Sequence, residues 1–461
     1  MAEEQIEDSA RADSDYEIDQ DVLRQVRASV ADGDAELLTR LLEPLHAADI
    51  ADLLEQVDDE TRVELVRLYG VEFDGEILSE LDEGIREEVI EALHPEVLSD
   101  AVRELETDDV VDLIEDLEAE QQAAILDALE AHDRIAVERS LTYPEFSAGR
   151  LMQREMVVAP DHWTVGEAID FMRSTDEMPD QFYHVILVDP RMRPTGYVTL
   201  GRIMSASRSA RLADLGEPSF RTIPVLQDEG DVAYAFNQYH LISAPVVDAD
   251  DRLVGVITID DAMAILDEEH EEDILRLAGV DEESAISDGV FETTRRRVPW
   301  LGVNLVTAIL ASLVIAQFED TIAQLVALAV LMPIVASMGG NAGTQTLTVA
   351  VRALATKDLT TANVWRVIRR EVMVGLVNGV VFAVVMGIVG AVWFGTPVLG
   401  AVIAMAMVVN LVIAGLAGVG IPVLLDKVGV DPALASGAFV TTVTDVVGFF
   451  AFLSLAGMLL L

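Results

Sequence analysis

Hydrophobic and polar positions change their pattern twice along the chain, which divides it into three parts. In residues 21–139, apolar residues at helical spacing alternate with brief acidic turns, and no β-rich stretch intervenes. One phrase recurs there, with a leucine followed by two aspartates and two apolar residues, as in Leu45–Leu54 and Leu105–Ile114. This pattern predicts short amphipathic helices packed as a small all-α solenoid or bundle.

From residue 140 to about residue 265 the pattern predicts an order of strand, helix, strand, turn, strand and helix, which occurs twice. Each copy is about 60 residues long, so this part is an internal repeat. The phrases Gly196–Thr199 and Gly255–Thr258, the latter followed by Asp261, resemble CBS domains, which pack as a pair. That resemblance implies an adenine nucleotide such as ATP bound near Thr199, Thr258 and Asp261. The plainer alternative is that Thr258 and Asp261 only cap the helix that follows.

The last part, residues 298–461, is almost free of charge and reads as a transmembrane domain. Runs of about 20 apolar residues match the thickness of a hydrocarbon core. The pattern predicts five spans, the second of them long and interrupted, at 298–318, 321–355, 368–394, 398–425 and 432–460. A helix over 262–278, rich in carboxylates at 267–273, leads toward the first span through a polar spacer, and we assign 266–297 as the connecting (plug) helix and linker.

Basic residues predict the orientation of these spans in the cell membrane. Arg295–Arg297 precede the first span, five basic residues lie between the second and third, and Lys427 separates the fourth from the fifth. The alternate connections carry neither lysine nor arginine. The positive-inside rule therefore places the N-terminus in the cytoplasm and the C-terminus outside.

The formal net charge of −51 is confined to the part that precedes the membrane spans. Residues 1–290 carry 73 acidic side chains against 21 arginines and no lysine, whereas residues 291–461 are nearly balanced. So acidic a surface argues against nucleic-acid binding, and its scarcity of lysine predicts a halophilic protein, of an archaeal kind. Most of these carboxylates are therefore expected to be solvated surface. Residues 1–20 have no signal-peptide pattern and are predicted to be disordered.

Two polar features interrupt the membrane spans. Three glycines, Gly339, Gly340 and Gly343, surround Asn341 in the second span, and predict either a break that lines a pore or close helix packing. The lone Asp445 in the fifth span is a functional candidate because a carboxylate in the membrane is costly unless it is paired or hydrated. The alternative for Asp445 is a neutral side chain that is hydrogen-bonded within the bundle.

These phrases together resemble the MgtE magnesium channels. The resemblance rests on GGNAGTQ (339–345), DPALASGAFVTTVTDV (431–446), the CBS pair and YPEFSAGRLM (143–152), and it covers residues 21–461. It implies a homodimer in the lipid bilayer, with Asp445 and the carbonyl of Thr441 at the ion site and Asn341 nearby. It also implies that cytoplasmic Mg²⁺ closes the pore by binding to acidic residues, for which we select Asp108, Asp112, Asp228, Asp261, Glu269, Glu272 and Asp273.

The predicted architecture is thus multidomain: a disordered tail (1–20), an all-α N-terminal domain (21–139), a tandem α/β CBS pair (140–265), a connecting helix (266–297) and a five-helix transmembrane domain (298–461). The chain has no cysteine, which excludes thiolate metal sites, and it has no phosphate-binding loop or catalytic triad, so we do not expect an enzyme. Two alternatives stay open. One is a CBS-regulated carrier of another divalent cation, and the other is a membrane-anchored sensor that transports nothing.

Overall fold

The structure, a computed structural model, describes residues 18, 20–115, 117, 119–175, 178–179, 181–217, 220–280 and 290–460. The predicted disordered tail lies almost entirely outside the described residues, as does much of the polar spacer before the first membrane helix. The chain divides into two compact units, Met1–Asp267 and Glu268–Leu461, and each is described by itself.

The described part of the first unit begins with ten short α-helices. They are α1 Gln20–Asp32, α2 Ala35–Leu42, α3 Ala47–Gln56, α4 Asp59–Tyr69, α5 Glu76–Ser79, α6 Glu83–Ala92, α7 Pro95–Glu104, α8 Thr107–Glu115, α9 Ala119–Ala128 and α10 Ala131–Ser140. Acidic turns start several of them because a carboxylate can accept backbone N–H bonds, as Asp34 and Asp58 do for α2 and α4. Their apolar faces form one core that runs from Val26 to Val137. The all-α prediction is confirmed.

Two three-stranded sheets follow, and they share the same topology. The elements are β1 Val157–Pro160, α11 Val165–Ser174, β2 His184–Val188, β3 Pro194–Thr199, α12 Leu200–Ser205, β4 Ile223–Pro224, α13 Glu229–Tyr239, β5 Ser243–Val247 and β6 Leu253–Thr258. In each sheet the first strand is parallel to the middle strand, and the third is antiparallel to it. The register breaks at the equivalent point in both, beside Val188 and Val247. The internal repeat is therefore confirmed in its strand order.

A segment between the helices and the sheets joins them. The backbone of Gln153 exchanges two hydrogen bonds with Val256 in β6, at 2.9 and 3.0 Å. Gly255 permits this approach because a Cβ there would lie 2.8 Å from the Gln153 carbonyl oxygen. On the other side, the Arg150 guanidinium pairs with Glu115 at the end of α8. The segment thus fixes α8 beside the second sheet.

A long helix, α14 Ile259–Ala278, extends from the last strand into the second unit. Five further helices are long and apolar enough to cross a membrane. With one short helix, α16, they are α15 Val290–Ala316, α16 Glu319–Gln324, α17 Ala327–Ala355, α18 Val364–Phe394, α19 Pro397–Val428 and α20 Pro432–Leu459. The five predicted spans are confirmed.

The interruption expected in the second span lies elsewhere than predicted. The chain leaves the helical conformation at Leu325–Val326, between α16 and α17. α17 then runs without a break through Gly339, Gly340 and Gly343. The prediction of a break at these glycines is wrong because neighbouring helices pack against them and support the helix there.

Glycines let α18 and α19 approach each other along most of their length. An added Cβ on Gly415 would lie 2.6 Å from the carbonyl oxygen of Glu371, and one on Gly400 would overlap the Gly387 carbonyl. Small residues are the usual means by which membrane helices achieve such backbone contact. The outer face of α18 exposes valines such as Val377, Val381 and Val385, as a lipid-facing helix does.

We predict that Gly415→Ala lowers the thermal stability of the full chain in detergent, because overpacking against backbone typically costs about 1–3 kcal/mol. The matched control is Gly420→Ala on the same helix, where an added Cβ meets nothing within 4 Å. That control should melt at the same temperature or slightly higher, since alanine favours the helix. Equal melting temperatures for Gly415→Ala and the parent would contradict the packing described.

Candidate ion path and regulatory carboxylates

Five carboxylic side chains converge where α8 meets the second CBS sheet. We name this group the carboxylate cluster, and it consists of Glu106, Asp108, Asp109, Glu155 and Asp261. Asp108 is buried, with 7% of its surface exposed, and it shares a hydrogen bond with Asp261. Two carboxyl groups can share such a bond only when one of them holds a proton. The site therefore favours either a proton or a bound cation.

Neighbouring donors hold the cluster in shape without neutralising it. The Thr107 hydroxyl donates to Glu155 at 2.7 Å, and the Gln153 amide donates to Glu106 at 2.6 Å. The Thr258 hydroxyl donates to Asp261 at 2.7 Å. All three donors are uncharged. No salt bridge to any cluster member is found among the described residues.

Burial and mutual repulsion both raise the pKa values of Glu106, Asp108 and Asp109. Burial raises the pKa of Glu106 to about 7, and the nearby charge of Glu155 adds to the effect. Burial likewise raises the pKa of Asp109 to about 7, with Asp261 as the strongest neighbouring charge. The pKa of Asp108 is raised well above its usual range for the same two reasons. Both causes penalise the charged form, which a bound cation would stabilise.

Two of the selected regulatory residues in the first unit, Asp112 and Asp228, lie outside this cluster. Asp112 forms a salt bridge with Arg86 at 2.7 Å. Asp228 caps α13 by accepting the N–H of Asp231 at 3.3 Å. Each carboxylate thus has a structural partner already.

The residues selected for nucleotide binding act as helix caps in this structure. The Thr199 hydroxyl accepts the N–H of Arg202 and so begins α12. At the start of α14, the Asp261 carboxylate accepts the Thr258 N–H at 3.3 Å and the Thr258 hydroxyl at 2.7 Å. Asp261 thus caps this helix, and these bonds engage the groups that were selected to meet a ribose.

The end of α14 in the second unit carries the other regulatory candidates, Glu269, Glu272 and Asp273. Arg276 lies among them, 3.0 Å from Glu272 and 2.8 Å from Asp431. Asp431 is the residue that caps α20, through a 2.7 Å bond from the Ala433 N–H. Burial raises the pKa of Asp273, and the charge of Asp431 adds to this. A protein cation therefore already bridges α14 to the helix that carries Asp445.

Asp445 lies half-buried on α20. No hydrogen bond or ion pair to its carboxylate is found in the described part of the chain. The hydroxyls nearest in sequence are turned to their own helix, since Thr441 donates to Gly437 and Ala438, and Thr444 donates to the Thr441 carbonyl. The Thr441 carbonyl is thus engaged within α20, whereas the Asp445 carboxylate is available for a ligand.

The glycines of α17 face α19 and α20. A Cβ on Gly343 would lie 2.6 Å from Val440, and one on Gly340 would lie 4.0 Å from the Thr441 methyl. Asn341 points the other way; it is exposed and donates to the Ser337 carbonyl at 2.9 Å. Glycine packing and an exposed Asn341 therefore occur on opposite sides of one continuous helix.

Asn341 belongs to a row of exposed polar side chains on α17. We name this row the polar stripe, and it consists of Ser337, Asn341, Thr344 and Thr348. Their spacing of three or four residues places them on one face. Asp445 lies one turn from Thr441, which adjoins α17 at Gly340. The stripe and the lone carboxylate thus belong to neighbouring helices at similar depth.

Comparison with known proteins adds independent information. Residues 332–455 match the family of MgtE divalent cation transporters, residues 45–146 match the MgtE intracellular N domain, and residues 148–209 and 214–268 match CBS domains. The magnesium transporter MgtE of Enterococcus faecalis is 35% identical over 322 residues, which is 70% of this chain and 71% of the relative. That of Thermus thermophilus is 35% identical over 327 residues, or 70% and 72% of the two chains. The chain belongs to the MgtE family.

One solved structure is similar to part of this MgtE-family chain. It is the cytosolic domain of the Mg²⁺ channel MgtE in complex with ATP, with 28% identity and a TM-score of 0.49. The match covers 53% of this chain and 99% of that one.

Sequence reasoning on this MgtE-family chain missed several residues. Glu106, Asp109 and Glu155 join the cluster beside the selected Asp108 and Asp261. Asp109 could have been found, because it belongs to the recurrent phrase at Leu105–Ile114. Arg276 could not, because only the fold brings Asp431 to it from 155 residues away.

We predict that, without divalent cations, the contact between α8 and the second CBS sheet weakens as the pH rises from 6 to 8. The pKa values of Glu106 and Asp109 are raised to about 7 in the folded chain. Their stabilising contribution is complete below about pH 4, the unfolded values, and is lost as the pH passes 7. The melting temperature of the full chain in detergent with EDTA should therefore fall over this range.

The variant Asp109→Asn should reduce that fall, because it removes one titrating group. The control Asp250→Asn, at an exposed turn after β5, should preserve it. If Asp109→Asn and the parent lose stability equally between pH 6 and pH 8, the cluster does not govern this contact.

Proposed function

We propose that this MgtE-family chain conducts Mg²⁺ across the cell membrane as a homodimer gated by cytoplasmic Mg²⁺. The observation that carries the proposal is the unpartnered Asp445 carboxylate on a membrane helix beside the polar stripe of α17. Neither feature is needed by a helix that only anchors a domain. The names of the relatives, which are magnesium transporters, support the choice of ion.

The polar stripe supports the proposal that the chain pairs with a second subunit. Hydroxyl and amide groups that face lipid are unfavourable, so such a face is expected to line water or to be covered by protein. Two copies related by a two-fold axis would turn two stripes and two Asp445 carboxylates toward one path. Asn341 would then offer an amide to an ion that passes between the subunits.

The chemistry of Mg²⁺ suits this arrangement. Mg²⁺ loses water reluctantly and is held through one or two carboxylates with several waters retained. Two facing Asp445 side chains could hold the hydrated ion electrostatically, while threonine and asparagine groups accept and donate hydrogen bonds to its waters. Because the Thr441 carbonyl is engaged within α20, we assign the ion contact to the Asp445 carboxylate first.

We place the N-terminus in the cytoplasm and the C-terminus outside, on the distribution of basic residues. The domain limits of 21–139, 140–265, 266–297 and 298–461 are part of the same proposal. An adenine nucleotide between the CBS domains is a further part, and binding would require Thr258 and Asp261 to exchange their capping bonds for bonds to the ligand.

Regulation is assigned to two sites. The carboxylate cluster would bind Mg²⁺ in the closed state, since a divalent cation would replace the shared proton and remove the repulsion. The end of α14, with Glu269, Glu272 and Asp273, would act on the ion path through α20. For either site to gate the channel, Mg²⁺ must bind the closed arrangement more tightly than the open one.

We predict that Asp445→Asn abolishes most Mg²⁺ flux into proteoliposomes, while the melting temperature and oligomeric state stay unchanged. The substitution keeps the size of the side chain and removes its charge, so it isolates the electrostatic role. The control is Asp426→Asn, which removes a carboxylate near the end of α19. Full Mg²⁺ flux through Asp445→Asn would rule out the assigned ion site.

We also predict that Arg276→Gln makes the docking of α14 depend more strongly on Mg²⁺. Glu272, Asp273 and Asp431 would lose their shared protein cation and repel one another, so residues 262–297 should become more sensitive to proteinase K without Mg²⁺. Added Mg²⁺ should restore protection. The control Arg295→Gln, at an exposed position on α15, should behave like the parent.

Replacing Glu269, Glu272 and Asp273 together by Gln, Gln and Asn tests the same site by removing its negative charges rather than its arginine. That variant should lose Mg²⁺-induced protection and keep its conduction. Equal cleavage with and without Mg²⁺ in both the parent and Arg276→Gln would remove this segment from the proposed sensor.

A further inference from the structure

Asn410 is a buried polar residue in the membrane part that the proposed function does not use. It lies near the middle of α19, and 0% of its surface is exposed. No charged residue occurs on α19 before Asp426. An amide at this depth is costly unless its groups are hydrogen-bonded.

The Asn410 side chain lies in a notch between two other helices. Its Nδ2 atom donates to the Val335 carbonyl of α17 at 2.8 Å. An added Cβ on Gly339 of α17 would overlap Nδ2, and one on Gly448 of α20 would lie 2.8 Å from it. The two glycines thus make room for one amide, which touches both neighbouring helices.

Of the two polar atoms of the Asn410 amide, only Nδ2 has a hydrogen-bond partner among the described residues. Its Oδ1 atom is buried and accepts no hydrogen bond from the described residues. A leucine of similar size could fill the same space without an unsatisfied acceptor. The presence of asparagine at this position therefore points to a role for the directional bond to Val335.

The position of the contact indicates what that role is. Gly339 lies two residues before Asn341, and Gly448 lies three residues after Asp445. A single side chain of α19 therefore bonds to α17 and packs against α20 at the level of both groups assigned to the ion path. The hydrogen bond from Asn410 to a backbone carbonyl is directional. It therefore restrains movements of α17 that apolar packing alone would permit.

We propose that Asn410 is a positioning residue for the ion path, which holds the Asn341 and Asp445 helices at the separation that selects the ion. This rests on the proposed function, because it takes Asp445 as the ion site. Asn410 itself touches no ion. A small displacement of ligands can cost a large factor in selectivity, so loss of this bond should change which ions pass as well as how fast.

The first experiment measures position without measuring transport. Because the chain has no cysteine, the pair Gly340→Cys and Thr441→Cys can report the approach of α17 to α20 by thiol cross-linking. An added Cβ at residue 340 would lie 4.0 Å from the Thr441 methyl, so the pair should cross-link readily. Adding Asn410→Leu should slow the cross-linking several-fold.

The second experiment measures ion selection in chains without introduced cysteines. Asn410→Leu should lower Mg²⁺ flux about tenfold and shift the ratio of Mg²⁺ to Ca²⁺ flux. Gly339→Ala should produce the same shift, because its Cβ would displace the amide. The double variant Gly339→Ala with Asn410→Ala should regain thermal stability while its altered flux ratio remains.

Two controls separate this role from general damage. Gly420→Ala meets no neighbour on α19, and Asn304→Leu alters an exposed asparagine on α15. Both should keep the parent flux ratio. Should Asn410→Leu fail to fold, the smaller Asn410→Ala takes its place in every assay.

Unchanged cross-linking and an unchanged Mg²⁺ to Ca²⁺ ratio in the Asn410 variant would overturn the proposal. Slower cross-linking with a shifted ratio would support it. Failure of the ion site itself is distinguishable, because it would appear as full flux through Asp445→Asn, whereas cross-linking tests the position of the helices by itself.

Discussion

Carboxylates that lack a basic partner govern both units of this MgtE-family chain. Asp108 and Asp261 share a hydrogen bond that needs a proton, and Asp445 has no described partner on its membrane helix. The donors around the cluster are uncharged, and none is found for Asp445 among the described residues. A bound cation would stabilise the charged carboxylates in both places, so one electrostatic requirement is common to the proposed sensing site and the proposed ion path.

Close helix contact is the means by which the membrane part meets this requirement. Glycines let α19 approach α17 and α18 at the distance of backbone atoms, and they let side chains of α19 and α20 pack on one side of α17 while its polar side faces outward. The same glycines that looked like a helix break are instead the surface against which Val440 and Asn410 pack. Packing therefore decides which side of α17 presents its polar groups.

The broad architecture could be predicted from the sequence because it depends on local periodicity. Helical spacing and uncharged runs can each be recognised within about 20 residues, and the repeated strand order within one copy of about 60. The details of the sites depend on contacts between distant segments. Asp109 could be recognised in the sequence as part of a repeated phrase, but the salt bridge of Arg276 with Asp431 could not. From the sequence alone the glycines of α17 predict a weakened helix, because the sequence does not show which side chains pack against them. Thr258 and Asp261 show the same limit, since capping and ligand binding use identical residues.

The polar stripe has a consequence for how such a protein is made and inherited. In the proposed homodimer, each subunit would cover the other's row of amides and hydroxyls, so a lone subunit would be stable in the membrane only after it meets a second copy. Assembly would then act as a checkpoint on each newly made chain. In a cell that carries one intact and one damaged copy of the gene, most dimers would contain at least one defective subunit. A single defective allele would therefore impair more than half of the dimers.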